Sequence, residues 1–350
     1  MTNSTIQASA QEDLRGRKTS LRLSELMVGE AAHQAIHKHF HKAIKQEASV
    51  LKDEDPEPLH QMRVGMRRLR TALQVFAMAV DLPKHAQDAK IRKLARQLGT
   101  VRDLDVLLLW FQDYIQTTPM PTTETAVVEG VMQQLGRDRT KRAKQMFKLL
   151  RGKRYQNFQS AYESWLAHPT YLPPANRPMA LMVPDLLLPL VCNLLCHPGW
   201  WVGIHWTERT ATPQSLPDDE TYHRDWGPPL HDLRKQIKRV RYQAEFLVDF
   251  YETDISEYTQ SFRQMQDLLG ELQDSEVLIH FLKQQLGVKW AAAAPSLSQY
   301  FQRQRLDLWQ QWQPFQQQYL DLGFRDRLRT SLAQVRPPSQ LPLTKTPLSG

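Results

Sequence analysis

The chain has 350 residues, with 45 Lys+Arg against 37 Asp+Glu, a formal net charge of +8 and a pI near 9.4. That length can bury the core of one large domain or two smaller ones, and the charge excess argues for an anionic partner: nucleic acid, an anionic membrane face or a phosphate compound. With only 14 glycines and an abundance of Leu, Gln, Arg and Ala, the composition favours helix over sheet. Cys192 and Cys196 are the two cysteines; four residues apart with no further Cys, they complete neither a disulfide framework nor a zinc site.

Residues 1–22 are polar, lack an apolar leader segment and are expected to be disordered, so no signal peptide is read. From about Leu23 to Lys52 apolar residues recur at helical spacing through Leu26, Ala31, Ile36, Phe40 and Ile44. The segment DEDPEP (53–58) ends that pattern, with Asp55 as N-cap and Pro56 as the first residue of the next helix. This next helix is expected to reach about Val80. Another covers about 85–98, Gly99 is read as its break, and TVRDLDV opens a further one. A helical pattern resumes from about Thr125 to Leu166, and HPTYLPPANRP (168–178) is a linker. The apolar stretch 179–206 is long enough to span a membrane, but Pro184, Asp185, Pro189, Asn193 and His197 interrupt it. A buried helix at about 179–196 followed by a loop is therefore expected. Residues 198–226 form an irregular insert rich in Trp, Pro and Asp; helices resume at Pro229, run to about 333, and give way to a tail, 334–350, expected to be disordered.

Two motifs occur twice. LHQMRVGMRRLR (59–70) matches LHDLRKQIKRVR (230–241), and QLGTVRDLDVLLL (97–109) matches LLGELQDSEVLIH (268–280). His60 pairs with His231 and Gly99 with Gly270, so both motifs repeat at an offset of 171 with no gap between them. This predicts an internal duplication of a helical unit, with halves of about 25–170 and 175–330. At about 100° per residue, Arg63, Arg67 and Arg70 fall within about 80° of His60 on one face. Met62, Met66, Leu69 and Leu73 form the adjacent apolar stripe, and Arg68 stands apart. In the second half His231, Arg234, Lys238 and Arg241 make the equivalent basic face, Leu233, Ile237, Val240 and Ala244 the apolar one, and Arg239 takes the place of Arg68. Cations stacked at i,i+4 repel by a few tenths of a kcal/mol per pair, roughly. Their recurrence in register points to a bound polyanion rather than a solvated surface.

A third basic stripe, Lys141, Lys144, Lys148 and Arg151, lies on the 137–155 segment, whereas the matching helix near 297–320 offers only Arg303 and Arg305. A site weighted toward the first half is expected. In VRDLDV, Asp103 and Asp105 read either as metal ligands or as acids that orient arginines of the neighbouring helix; Asp274 and Glu276 recur in the second half. The orienting reading is favoured, and neither a metal nor a cofactor is expected. His33, His37 and His41 share one helix face without a third ligand type, and are expected to flank the anion site. The tryptophans at 200, 201, 206 and 226 are expected to close over a core rather than to stack bases.

These residues resemble the CHAD domain family, the conserved histidine α-helical domain. Its H-x-x-R-x-x-x-[RK]-R-x-R pattern reads here as His60, Arg63, Arg67, Arg68 and Arg70, and again as His231, Arg234, Lys238, Arg239 and Arg241. Its L-G-x-x-R-D-x-D-V pattern reads as Leu98, Gly99, Arg102, Asp103, Asp105 and Val106, and again, less fully, as Leu269, Gly270, Asp274 and Val277. The resemblance spans about 25–330, within a domain expected over 23–333. It departs where Gln273 replaces Arg102, where the final helix lacks a basic stripe, and in the 198–226 insert. It implies an all-α fold of two pseudo-symmetric antiparallel four-helix bundles whose basic faces line a groove or pore. It also implies binding of inorganic polyphosphate, association with cytoplasmic polyphosphate granules and contact with polyphosphate-metabolising enzymes. The residues expected to bind it are the two repeated basic sets with Arg102, Lys141, Lys144, Lys148 and Arg151, with Asp103, Asp105 and Asp274 as orienting carboxylates. CHAD domains are often fused to a CYTH triphosphatase domain, but no ExExK motif is present, so a stand-alone, non-catalytic binder is expected. A basic helical protein that binds RNA or DNA is the alternative, disfavoured because the motif helices hold almost no aromatics. A second is an Mg²⁺-dependent phosphohydrolase built on the four repeated carboxylates.

Overall fold

The computed structural model describes residues 26–207, 210–251 and 255–335. The N-terminal segment and most of the tail, both expected to be disordered, lie outside the described residues; the tail is described only to Val335, which bridges Tyr251. The fold is all-α, apart from one two-stranded antiparallel hairpin.

In chain order the first half contains α1 (Val28–Ile44), α2 (Glu47–Lys52), α3 (Pro56–Val75), α4 (Asp88–Thr117), α5 (Thr122–Leu150) and α6 (Lys153–Ala167). The second contains α7 (Met179–Leu195), the hairpin β1 (Ile204–Thr207) and β2 (Thr210–Pro213), then α8 (Gly227–Leu247), α9 (Ser256–Leu286), α10 (Pro295–Leu320) and α11 (Leu322–Ala333). The packing order is the same in each. In the first half α1 packs on α3, α3 on α4, α4 on α5 and α5 on α6, and α6 returns to α1. In the second the same circuit runs through α7, α8, α9, α10 and α11.

Local chemistry explains the starts. Asp55 accepts from the Glu57 N–H at 2.8 Å, and Pro56 opens α3, where its missing N–H costs nothing. The anticipated stripes bury as expected: Met62, Met66 and Leu69 on α3 and Leu233, Ile237 and Val240 on α8 are at most 1% exposed. Several boundaries differ from expectation. Helix α3 stops at Val75 rather than Val80, and turns follow. The 125–166 pattern is two helices, because the chain turns at Arg151 and Gly152. The irregular insert contains the hairpin and a five-residue π-helical stretch, Tyr222–Trp226.

Gly99 does not break a helix. It lies inside the 30-residue α4. Length and packing on both α3 and α5 outweigh a penalty of about 1 kcal/mol for one internal glycine.

The tryptophans behave as core residues in part. Trp200 is fully buried between Trp312 and Tyr319, with ring centroids 5.5 and 5.0 Å away, and Trp226 packs on Trp309. Trp201 and Trp206 stay nearly half exposed. The segment 179–201 is long and apolar enough to cross a membrane by length and composition, yet α7 packs against α8 and α11. Both cysteines are free thiols.

Apolar side chains form two separate clusters. The larger draws on helices of both halves, the near ends of the long helices α4, α5, α9 and α10 included. The smaller lies at the far ends of the long helices, where Phe111, Val128 and Leu135 meet Leu278, Leu282 and Phe301. Neither half owns a core. Glu124 near the start of α5 even caps the other half, accepting from the Leu297 N–H at 3.0 Å.

Buried ion pairs staple the long helices between the clusters. Arg139 on α5 donates to Asp105 on α4 at 2.8 Å and grips Asp53 with both guanidinium nitrogens. Asp53 caps α2 with φ of 59°, a left-handed conformation that Asp tolerates better than most residues. In the second half Arg305 on α10 stands 3.4 Å from Glu276 on α9 and donates to Asp219 at 2.6 Å, its guanidinium over the Tyr222 ring. Arg139→Met strands two carboxylates that are mostly withdrawn from water. It is expected to cost about 2–4 kcal/mol by urea denaturation, with no change in helical content. A loss under about 0.5 kcal/mol would class the triad with ordinary surface ion pairs.

Candidate functional site

Helices α3 and α8 pack directly against each other, so the two repeated basic faces meet at the junction of the halves. Arg67 of α3 lies over the Tyr242 ring of α8, 4.6 Å from its centroid. Arg68 and Arg241 approach the same ring at 5.4 and 4.4 Å. Glu245 accepts from Arg241 at 2.7 Å and pairs with Arg68 across the junction.

The free cations point into one another's field. Burial and then Arg234, Arg67 and Arg63 push Lys238 down to about 8, with Asp274 opposing. Burial, Arg241, Arg68 and Arg63 likewise lower Arg67, with Tyr242 opposing. Each of these lysine and arginine shifts includes neighbours from the other half. Burial is the first cause of lowered His60 and His231; Arg102, Arg67 and Arg63 add to it at His60, and Lys235, Arg234 and Lys238 at His231. At the position that the first motif fills with Arg102, Gln273 is neutral and opposes the lowering of His231 instead of adding to it.

Two carboxylates enter this field. Asp103 stands 3.5 Å from Arg63. Desolvation raises Asp103 and Asp274 above the usual carboxylate range, against the pull of Arg63 on the first and Arg234 on the second. Asp274 also feels Asp103, which places the two near each other across the junction. Asp103, Asp274 and Arg67 are nevertheless exposed to water, so they border solvent while crowded by protein.

The two motifs interlock through glycine. A Cβ built on Gly99 would lie 2.3 Å from Nη1 of Arg63, and one on Gly270 would lie 2.7 Å from Nη2 of Arg234. Each glycine is a notch in which the first arginine of the basic motif rests.

A CHAD domain family model matches residues 34–283. The chain belongs to the CHAD domain family. Among solved structures it is similar to the CHAD domain from the plant Ricinus communis, at 24% identity and a TM-score of 0.56, covering 89% of this chain and 96% of that one. It is also similar to PptA from Streptomyces chartreusis, at 15% identity and a TM-score of 0.52, covering 83% and 99%. At these identities the likeness is one of fold. No curated protein matches the chain.

Not every residue anticipated from the CHAD pattern joins the junction. Arg70 is held by Asp88 through two bonds of 2.7 and 3.2 Å at the start of α4. Arg68 and Arg241 are engaged by Glu245, while Arg239 is exposed on the outer side of α8. Asp105 orients Arg139, which lies outside the basic face, because it leaves α4 in the opposite direction to Asp103. Lys141, Lys144, Lys148 and Arg151 are exposed on α5, and Lys148 lines a different cleft, shared with α4 and α6. Arg305 is spent on its buried pair, which leaves Arg303 as the exposed member of that set. The four repeated carboxylates do not converge, since Asp105 and Glu276 are taken by arginines.

Nor do the anticipated histidines flank the junction. His33 bonds the Leu166 carbonyl at 3.0 Å, and His37 and His41 meet edge-on, both exposed, on α1. Instead His39 packs edge-on against Phe246 of α8, and burial, then Arg68, pushes it down to about 4. His39 and Glu245 were missed because they belong to no repeated pattern; Tyr242 directly follows the second basic motif, and that adjacency was the one available signal.

Gly99→Ala raises intrinsic helix propensity by about 1 kcal/mol but evicts Arg63 from its notch. The variant is expected to melt at or above the wild-type temperature and to elute from phosphocellulose at lower salt. An unchanged elution would mean Arg63 keeps its placement without the notch.

Proposed function

We propose that this CHAD domain binds inorganic polyphosphate, without turning it over, along the junction of α3 and α8. The observation that carries the reading is the meeting of two basic faces from opposite halves, with Arg63, Arg67, Arg234 and Lys238 in one field. Such a cluster is costly when empty, because each cation lowers the others' affinity for a proton. A linear anion with a charge on every unit relieves all of them at once. Arginine forks match phosphate oxygens in pairs, and contacts along the chain add, with affinity that falls as salt rises because releasing counterions into a saltier solution gains less. Tyr242 is covered by three arginines and offers no face for a base, which supports a phosphate reader over a nucleic-acid reader. Asp103, beside Arg63, and Asp274, which opposes the lowering of Lys238, offset part of the cationic field in the empty site.

Arg63→Ala with Arg67→Ala is expected to weaken binding of long-chain polyphosphate by at least about tenfold at moderate salt, with a melting temperature near wild type. A titration against polyphosphate and RNA at equal charge tests the ligand. Equal affinity for RNA, reduced equally by the double substitution, would favour the nucleic-acid reading.

Binding should also take up protons. Burial and cations keep His60 and His231 neutral at pH 7 in the empty site, whereas phosphate oxygens favour the charged form. Affinity is then highest below the empty-site histidine pKa and falls as pH rises from that value to the bound-site value. Lys238, at about 8 when empty, adds a second fall that begins near pH 8. His60→Gln with His231→Gln should flatten the acid-side slope alone, and Lys238→Arg the alkaline one. Titrations at pH 5.5, 7 and 9 read both; parallel profiles for wild type and variants would mean these groups keep one charge state throughout.

A further inference from the structure

A cleft of about 810 Å³ opens on the first half, between the start of α4, the end of α5 and the start of α6. No residue of α3 or α8 lines it, so it is separate from the junction. Its size falls within the range of pockets that hold small organic ligands.

Lys90, Lys93, Arg96, Lys148, Lys153 and Arg154 line it, and no carboxylate does. Five of these cations are exposed and Lys90 is half-buried, and none is engaged in an ion pair or side-chain hydrogen bond among the described residues. The cleft also takes in the beginning of α6, a 15-residue helix. Gly152 caps that helix without a side chain, and no acid stands in its first turn. Lys153 and Arg154 stand there instead. Cations at the positive end of a helix oppose its dipole, and the uncapped N–H groups there have no side-chain partner. A bound anion reverses both costs.

The remainder of the lining is not what a bare phosphate chain needs. Buried Leu94 and Phe158, with Leu149, supply an apolar floor. Gln97, Gln145 and Asn157 supply neutral amides, each both donor and acceptor. Together these suit a flat, heteroatom-edged ring.

We propose that this cleft binds a nucleoside di- or triphosphate, its phosphates on the cationic rim and the start of α6, its base on the apolar floor with the amides at its edge. This site is independent of the polyphosphate reading for the junction, and either can fail without the other.

The test is calorimetric titration of the full chain with ATP, inorganic tripolyphosphate, adenosine and long-chain polyphosphate, without added divalent cation. ATP is expected to bind with one-to-one stoichiometry, at least about tenfold more tightly than tripolyphosphate or adenosine. Lys93→Gln with Arg154→Gln should weaken ATP by at least about tenfold and leave polyphosphate affinity unchanged; Arg63→Ala with Arg67→Ala should do the reverse. Gln145→Leu, a neutral and exposed change, should weaken ATP but not tripolyphosphate, and serves if the double variant fails to fold. Equal binding of ATP and tripolyphosphate would reduce the cleft to a non-selective cationic surface. Parallel loss of ATP and polyphosphate in the cleft variant would make it an extension of the junction. Absence of ATP binding at millimolar concentration would remove the site altogether.

Discussion

Three guanidinium groups from two helices repel one another unless something offsets their charge, and in this protein that is Tyr242 and Glu245. Arg67, Arg68 and Arg241 all stand over one aromatic ring. Its negative face attracts each by about 0.5–1 kcal/mol even near the surface. Glu245 then ties Arg68 of one half to Arg241 of the other. Both groups sit on α8, so the second half carries the cement for the first half's charge. Without them the two basic helices would repel at the contact that joins the halves.

That contact dictates how the apolar surface is shared. Charged side chains cannot be covered by a core unless paired, so the middle of the molecule stays polar. Apolar residues are driven to the two ends and form clusters that each draw on both halves. Between them, Arg139 and Arg305 use the second carboxylates of the repeated motifs to fix the long helices. The first carboxylates, Asp103 and Asp274, are thereby left facing the cations. Two acids separated by a single residue thus divide into a structural and an electrostatic task, because successive positions on a helix point in different directions.

Much of this was legible in the chain itself. Helical periodicity identified the buried stripes of α3 and α8 residue by residue, and Asp55-Pro56 marked a start that the structure reproduces. The family followed from two motifs at one offset. What was not legible is direction. Gly99 looked like punctuation because propensity is local, whereas its role comes from Arg63 on another helix. Lys141 to Arg151 looked like part of the same site because a stripe shows its own face but not what it faces. Arg70 and Arg305 looked free because Asp88 and Asp219, their partners, lie 18 and 86 residues away in sequence.

The bond from Glu124 to Leu297 joins residues 173 apart, and the small apolar cluster depends on the same pairing. A ribosome adding 5–20 residues per second needs roughly nine to thirty-five seconds to make that stretch. During that interval the ends of α4 and α5 exist with Phe111, Val128 and Leu135 uncovered and Glu124 without its partner. The first half is therefore committed to a long wait as an open hairpin of helices. The length of its exposure to aggregation or chaperone capture is set by the rate of synthesis of the second half as well as by its own stability.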